Sequence, residues 1–186
     1  AIRNIHNGIL ALDLFGDERI APELFFMHFS RARDAGLCIT VHAGEGGGAH
    51  NIRTAVEQLG AARIGHGVRI VEDASVIHLV KDKNVLLEMC PTSNVQTGAI
   101  ANLWEHPLKR MLELGVHVSI STDDPQFSNT TLAEEYRIAR DELGLSDAQL
   151  MQITNIAADH IFDIAYIPTL KKALARAQPK EIFPKS

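Results

Sequence analysis

Five short aliphatic runs recur along this chain at nearly regular intervals, and each leads into glycines or reactive polar side chains. The runs are Gly8–Leu14 (GILALDL), Leu37–His42 (LCITVH), Arg63–Gly65 (RIG), Asn84–Met89 (NVLLEM) and Val116–Ser121 (VHVSIS). Continuous apolar runs of this kind suit strands of a parallel sheet that are buried on both faces. Their ends fall near Gly16, His42, His66, Cys90 and Thr122, a repeat of roughly 24 to 32 residues. A (β/α)8 barrel of about 250 residues averages close to 31 per unit. The spacing therefore predicts an α/β fold, a parallel (β/α)8 TIM barrel of which this chain supplies about five strands and the C-terminal helices. An open doubly wound sheet of five strands meets the same count, and strand count alone leaves the two open.

Helices with readable ends separate the runs. Pro22 suits a first turn and Gly36 a terminator, around a helix expected to bury Leu24, Phe25, Phe29 and Ala32. Ile52, Val56 and Leu59 line a second helix ending at Gly60, and Asp73 caps a third carrying Val76, Ile77 and Val80. Pro107 opens a fourth with Leu108, Met111 and Leu112 inside, closed by Gly115. Thr131 with Glu134, and Ser146 with Gln149, read as capping boxes for two more, the first reaching Leu143. A short helix follows Pro168, and no linker or second domain is evident, so residues 1–186 read as part of one barrel domain.

Composition narrows the function classes. A net charge of −5 with no local Lys/Arg run gives no footprint for nucleic acid. No apolar run approaches the roughly 20 residues of a membrane span, and the first residues lack the pattern of a signal peptide. Two cysteines, Cys38 and Cys90, lie in apolar stretches without zinc-ligand spacing, which fits a reducing, cytoplasmic setting.

Reactive residues cluster at the five strand ends: LDLFGDE, VHAGEGGG, GHG, CPTSN and STDDP. In α/β barrels the carboxyl ends of different strands converge on one mouth, where catalytic groups sit. His42 and Asp123 are the candidate metal ligands, an imidazole and a carboxylate suited to zinc. Alone, His42 reads as a buried hydrogen-bonded histidine, and Asp123 as a helix cap or a turn residue before Pro125. Glu45 follows in a turn built from Gly44 and Gly46–Gly48; glycines allow a sharp turn and a close approach to a ligand. A carboxyl in a partly dry pocket can donate a proton near neutral pH. His66, between Gly65 and Gly67, reads as a base or electrostatic partner for an attacking water. The other seven histidines, at positions 6, 28, 50, 78, 106, 117 and 160, read as structural or exposed.

The ordered series ALDLFGDE (11–18), TVHAGE (40–45), ARIGHG (62–67), CPTSN (90–94) and STDDP (121–125) resembles the motif series of adenosine deaminases in the amidohydrolase superfamily. The resemblance implies one zinc ion per active site and hydrolytic deamination of adenosine, and also of 2′-deoxyadenosine, in purine salvage. It implies that His42 and Asp123 bind zinc, that Glu45 protonates purine N1, and that His66 orients and deprotonates the attacking water. It places Asp124 on purine N7, the Gly16 backbone on N3, and Asp13 behind the metal ligands.

The family pattern begins with an H-x-H pair on the first strand, and no H-x-H occurs in these 186 residues. The chain is therefore expected to be a fragment, inactive alone, whose natural partner is the N-terminal part of the same protein. A deaminase of free adenine is the nearest alternative activity, and a non-catalytic five-stranded assembly domain is the alternative of another class.

Overall fold

A computed structural model describes residues 1–177, in two compact units that divide between Glu88 and Met89. Five strands form one sheet in simple sequence order: β1 (Ala11–Leu14), β2 (Cys38–Ala43), β3 (Arg63–His66), β4 (Leu86–Met89) and β5 (His117–Ile120). β1 to β4 pair in parallel, with Asp13 opposite Thr40, His42 opposite Gly65 and Gly65 opposite Glu88. Each observed strand lies within its expected run or one residue from it, and the ends on the carboxyl side hold best. Gly8–Leu10 is lost from the first run because a left-handed turn at Gly8 (φ 89°) closes a 3-10 segment, Ile2–Asn7, ahead of it.

Burial on both faces does not hold for β2. Ile39, Val41 and Ala43 are buried, whereas Cys38, Thr40 and His42 on the opposite face are only partly so. That second face is polar: Arg63 pairs with Glu88 at 2.7 Å, and Thr40 donates to the same carboxylate at 3.5 Å. An ion pair lies on this face where the apolar reading expected hydrocarbon.

In the first unit, α1 (Phe26–Asp34) and α2 (Ala49–Thr54) pack on β2, and α3 (Ala74–Asp82) packs on α2. Phe29 and Ala32 of α1 are buried as expected, but Leu24 is 70% exposed. Pro22–Phe25 is a 3-10 turn, with three residues per turn, so Leu24 falls off the stripe that a continuous α-helix would give it. A π-helical turn, Ala55–Leu59, continues α2 and buries Val56 and Leu59 up to Gly60. Asp73 caps α3 by accepting from the Ser75 N–H at 2.8 Å.

The second unit adds α4 (Pro91–Gln96), α5 (Leu108–Glu113), α6 (Pro125–Ser128), α7 (Leu132–Asp141), α8 (Asp147–Asp159) and α9 (Ile167–Leu174). Ser146 and Gln149 make both halves of a capping box at α8. At α7 only half forms: Thr131 accepts from the Glu134 N–H, while the Glu134 carboxylate turns to Arg137 at 2.6 Å. A guanidinium one turn on outcompetes the cap's own backbone N–H for that carboxylate. Both cysteines are free thiols, and among the described residues no helix is long and apolar enough to cross a membrane.

His106 carries a pH prediction. It is buried; its Nδ1 accepts from the Leu108 N–H at 3.2 Å, and its Nε2 faces Asn94 Oδ1 at 3.2 Å, the pairing of a neutral ring. Burial holds its pKa down to about 4 from the ordinary 6.5. Between those values the unfolded ring binds a proton that the folded one refuses. The stability contribution is thus complete above pH 6.5, is lost as pH falls from 6.5 towards 4, and is level below that. It amounts to about 3 kcal/mol across the window. Urea unfolding over this range should show a shallower pH slope for His106→Gln than for the wild type, and equal slopes would count against this assignment.

Candidate active site

At the carboxyl end of β2, His42 lies in register with Gly65 of β3. A Cβ on Gly65 would stand 3.1–3.2 Å from three atoms of the His42 ring, so the glycine gives the imidazole a flat seat on the neighbouring strand. From β1, both carboxylate oxygens of Asp13 lie 3.3 Å from His42 Nδ1. A carboxylate on one ring nitrogen fixes the tautomer, and metal-binding histidines commonly have such support.

His66 ends β3 in a left-handed backbone conformation (φ 64°) and is followed by Gly67 (φ 67°). This turn carries the buried His66 ring to 5.3 Å from that of His42, edge to face. His66 Nε2 is 3.5 Å from Glu45 Oε2. The first unit therefore brings Asp13, His42, Glu45 and His66 into one cluster. Gly16 (φ 134°) lines an adjoining concavity with Leu14, Phe15, Phe25 and His42.

In the second unit, Asp123 also has a left-handed backbone (φ 55°). Four non-glycine residues among those described have positive φ, and two of them are His66 and Asp123. Such conformations cost on the order of 1–3 kcal/mol each and gather at functional sites. Asp123 is not the cap of α7, a role held by Thr131. Ser93, from α4, donates instead to Asp123 Oδ2 at 2.7 Å and orients the carboxylate. Asp124 heads α6 through its backbone carbonyl, which accepts from the Phe127 and Ser128 N–H groups, and its side chain makes no cap bond.

Two supporting residues escaped the sequence reading. Ser93 stood inside CPTSN, but only the fold shows that α4 starts at Pro91 and turns its hydroxyl to the β5 end. Glu18 is the other. Its carboxylate accepts from four backbone N–H groups of the Gly44–Gly47 turn, at 2.7–3.0 Å. The glycines thus present their N–H groups to a side chain of the same chain, where the sequence reading had offered them to a ligand. Neighbouring Asp17 points elsewhere: hydrogen bonds from Arg19 hold its carboxyl down to about 2.

A family model described as adenosine deaminase matches residues 1–173. The chain belongs to the adenosine deaminase family. An adenosine deaminase from Erwinia tasmaniensis is 44% identical over 173 residues, covering 92% of this chain and 51% of that protein. Among solved structures, an adenine deaminase from Arthrobacter aurescens superposes with a TM-score of 0.87 at 29% identity, over 93% of this chain and 54% of its own. An amidohydrolase from Burkholderia ambifaria, solved with bound Zn, gives a TM-score of 0.81 at 26% identity, over 89% of this chain and 47% of its own. This member of the adenosine deaminase family thus spans about half the length of the curated relatives it matches. Its parallel strands and helices have the TIM-barrel deaminase fold, in a barrel that five strands do not close.

Proposed function

We propose that this chain carries the carboxyl-terminal half of the active site of a zinc-dependent adenosine deaminase, within a single barrel domain. The observation that carries the proposal is the Asp13–His42–His66–Glu45 cluster at adjacent strand ends, in a chain of this family. His42, backed by Asp13, and Asp123, held by Ser93, are the proposed zinc ligands of this chain. Their outer support suits the role, since hydrogen-bonded imidazole and carboxylate donors are what zinc sites use. Two further donors would come from a segment outside these residues.

Bound there, zinc supplies Lewis acidity that brings the pKa of water from about 15.7 towards 7. The remaining steps belong to protein groups. The Gly16 N–H donates to purine N3 and Asp124 contacts N7, which fixes the ring. His66 orients the attacking water and takes its proton. Glu45 gives a proton to N1 as the water oxygen adds at C6, so the ring nitrogen leaves that step without negative charge. His66 then passes its proton to the C6 amino group, which leaves as ammonia, while the C6 hydroxyl proton returns to Glu45, and inosine results. The atoms balance as adenosine plus water giving inosine plus ammonia.

Likeness to an adenine deaminase keeps the free base as a second reading. Metal analysis of the full-length protein, with ultraviolet assays on adenosine and adenine side by side, tests both. Zinc at one per site and faster turnover of adenosine is the expected result. Faster turnover of adenine would replace the nucleoside reading, and a protein with no zinc that leaves both substrates unchanged would be a non-catalytic assembly domain.

A further inference from the structure

We propose that Glu18 is a positioning residue for Glu45: its carboxylate locks the Gly44–Gly47 turn, so that the N1 proton donor and the Gly16 backbone meet one purine ring as a single rigid unit. This rests on the reading of Glu45 as the N1 donor.

The geometry is specific to Glu18. Its Oε1 accepts from the Glu45 and Gly46 N–H groups at 2.9 and 3.0 Å, and its Oε2 from those of Gly44 and Gly47 at 2.7 and 3.0 Å. Four consecutive N–H groups converging on one carboxylate form an anion-binding nest, and charge-assisted hydrogen bonds of this kind are the strong ones. The Glu45 main chain is itself among the donors, so the root of the proton-donating side chain is tied directly.

The nest is also closed from outside. Asn51 donates to the Glu18 carbonyl at 2.9 Å and reaches Oε2 at 3.5 Å. A Cβ on Gly47 would run into Asn51 and into Glu18, and one on Gly44 (φ 74°) would stand 2.5 Å from Ile52 Cδ1. Glycine at both positions lets the turn close tightly around the carboxylate. Gly16, the proposed N3 contact, lies two residues before Glu18 on the same loop after β1. The β1 loop thus carries one purine contact and fixes the other. N1 and N3 belong to one rigid ring, so their two protein partners gain from being held at a fixed separation.

The test uses the full-length zinc-loaded protein. Glu18→Gln keeps the shape but turns one oxygen into an NH2 group facing two N–H donors. We expect kcat to fall about 10²-fold with KM little changed, the scale expected when a reacting group is misplaced by about 1 Å. Zinc content should stay as in the wild type. Amide exchange at residues 44–47 should rise about tenfold or more, because their protection depends on Glu18. Combined with Glu45→Gln, the Glu18 substitution should cost nothing further, since the group it positions is already gone. Glu18→Asp, one methylene short but charged, should fall between the two and serves if Glu18→Gln does not fold.

A disabled Glu45→Gln beside a fully active Glu18→Gln would overturn the positioning role alone. So would an equal Glu18→Gln loss in the Glu45→Gln background, which marks a merely structural role. Wild-type kcat in Glu45→Gln would overturn the reading of Glu45 and the positioning role with it.

Discussion

Glu45→Gln in the full-length protein is expected to lower kcat by about 10³- to 10⁴-fold, the upper range for losing a general acid, while zinc stays bound. Glutamine has the shape of the protonated carboxyl group but no acidic proton to give to N1. Addition of water at C6 would then leave charge on the ring nitrogen with nothing to neutralise it. The backbone should stay in place, because the Glu45 N–H is held by Glu18 at 2.9 Å and that bond does not involve the mutated side chain. The contact with His66 at 3.5 Å survives in shape, so the histidine keeps its station. KM should change far less than kcat, since the lost interaction matters chiefly in the transition state. Steady-state kinetics with metal analysis on the same sample decide it. Loss of zinc from this variant, with His42 intact, contradicts the assigned role.

The strand ends were readable in advance because each aliphatic run breaks there into glycines and polar residues with no reason to sit inside a sheet. Glu45 and His66 each adjoin a glycine of positive φ, Gly44 and Gly67, where the chain turns sharply at the strand end. What the chain did not disclose is mostly a matter of partner choice in three dimensions. Glu18 and Asp17 are adjacent acids of similar chemistry, yet one fills a nest of four N–H groups and the other pairs with Arg19 on the surface. Nothing in FGDE ranks them; only the four N–H donors of a turn 26 to 29 residues away do. Thr131 and Glu134 failed as a reciprocal pair for a similar reason, since Arg137 offers that carboxylate a better partner. The polar face of the sheet was hidden because the Arg63–Glu88 pair joins β3 to β4, and each residue alone reads as an interruption of an apolar run. Leu24 was misplaced because the 3-10 turn Pro22–Phe25 shifts the helical period by a fraction of a residue per turn.

His42→Ala should strip the full-length protein of zinc during dialysis and reduce kcat by more than about 10³-fold, since the reaction then lacks its Lewis acid. The loss should be chemical and not a failure to fold. The His42 side chain is 33% exposed and lies on the polar face of β2, so its removal opens no cavity in the apolar core. A graded companion separates ligation from general damage at the strand end. Gly65→Ala leaves every proposed ligand in place but sets a methyl group 3.1–3.2 Å from the His42 ring, which must then shift by a few tenths of an ångström. Disturbing a ligand's support typically costs about 10- to 100-fold in metal affinity. Gly65→Ala should therefore bind zinc more weakly by about that factor and recover activity as zinc is added, whereas His42→Ala should not recover. If His42→Ala keeps one zinc per site through dialysis, the imidazole is not a ligand, and the Asp13 contact at 3.3 Å must be explained as a structural pair. If Gly65→Ala binds zinc as the wild type does, the flat seat is incidental, and Asp13 alone sets the direction of the ring.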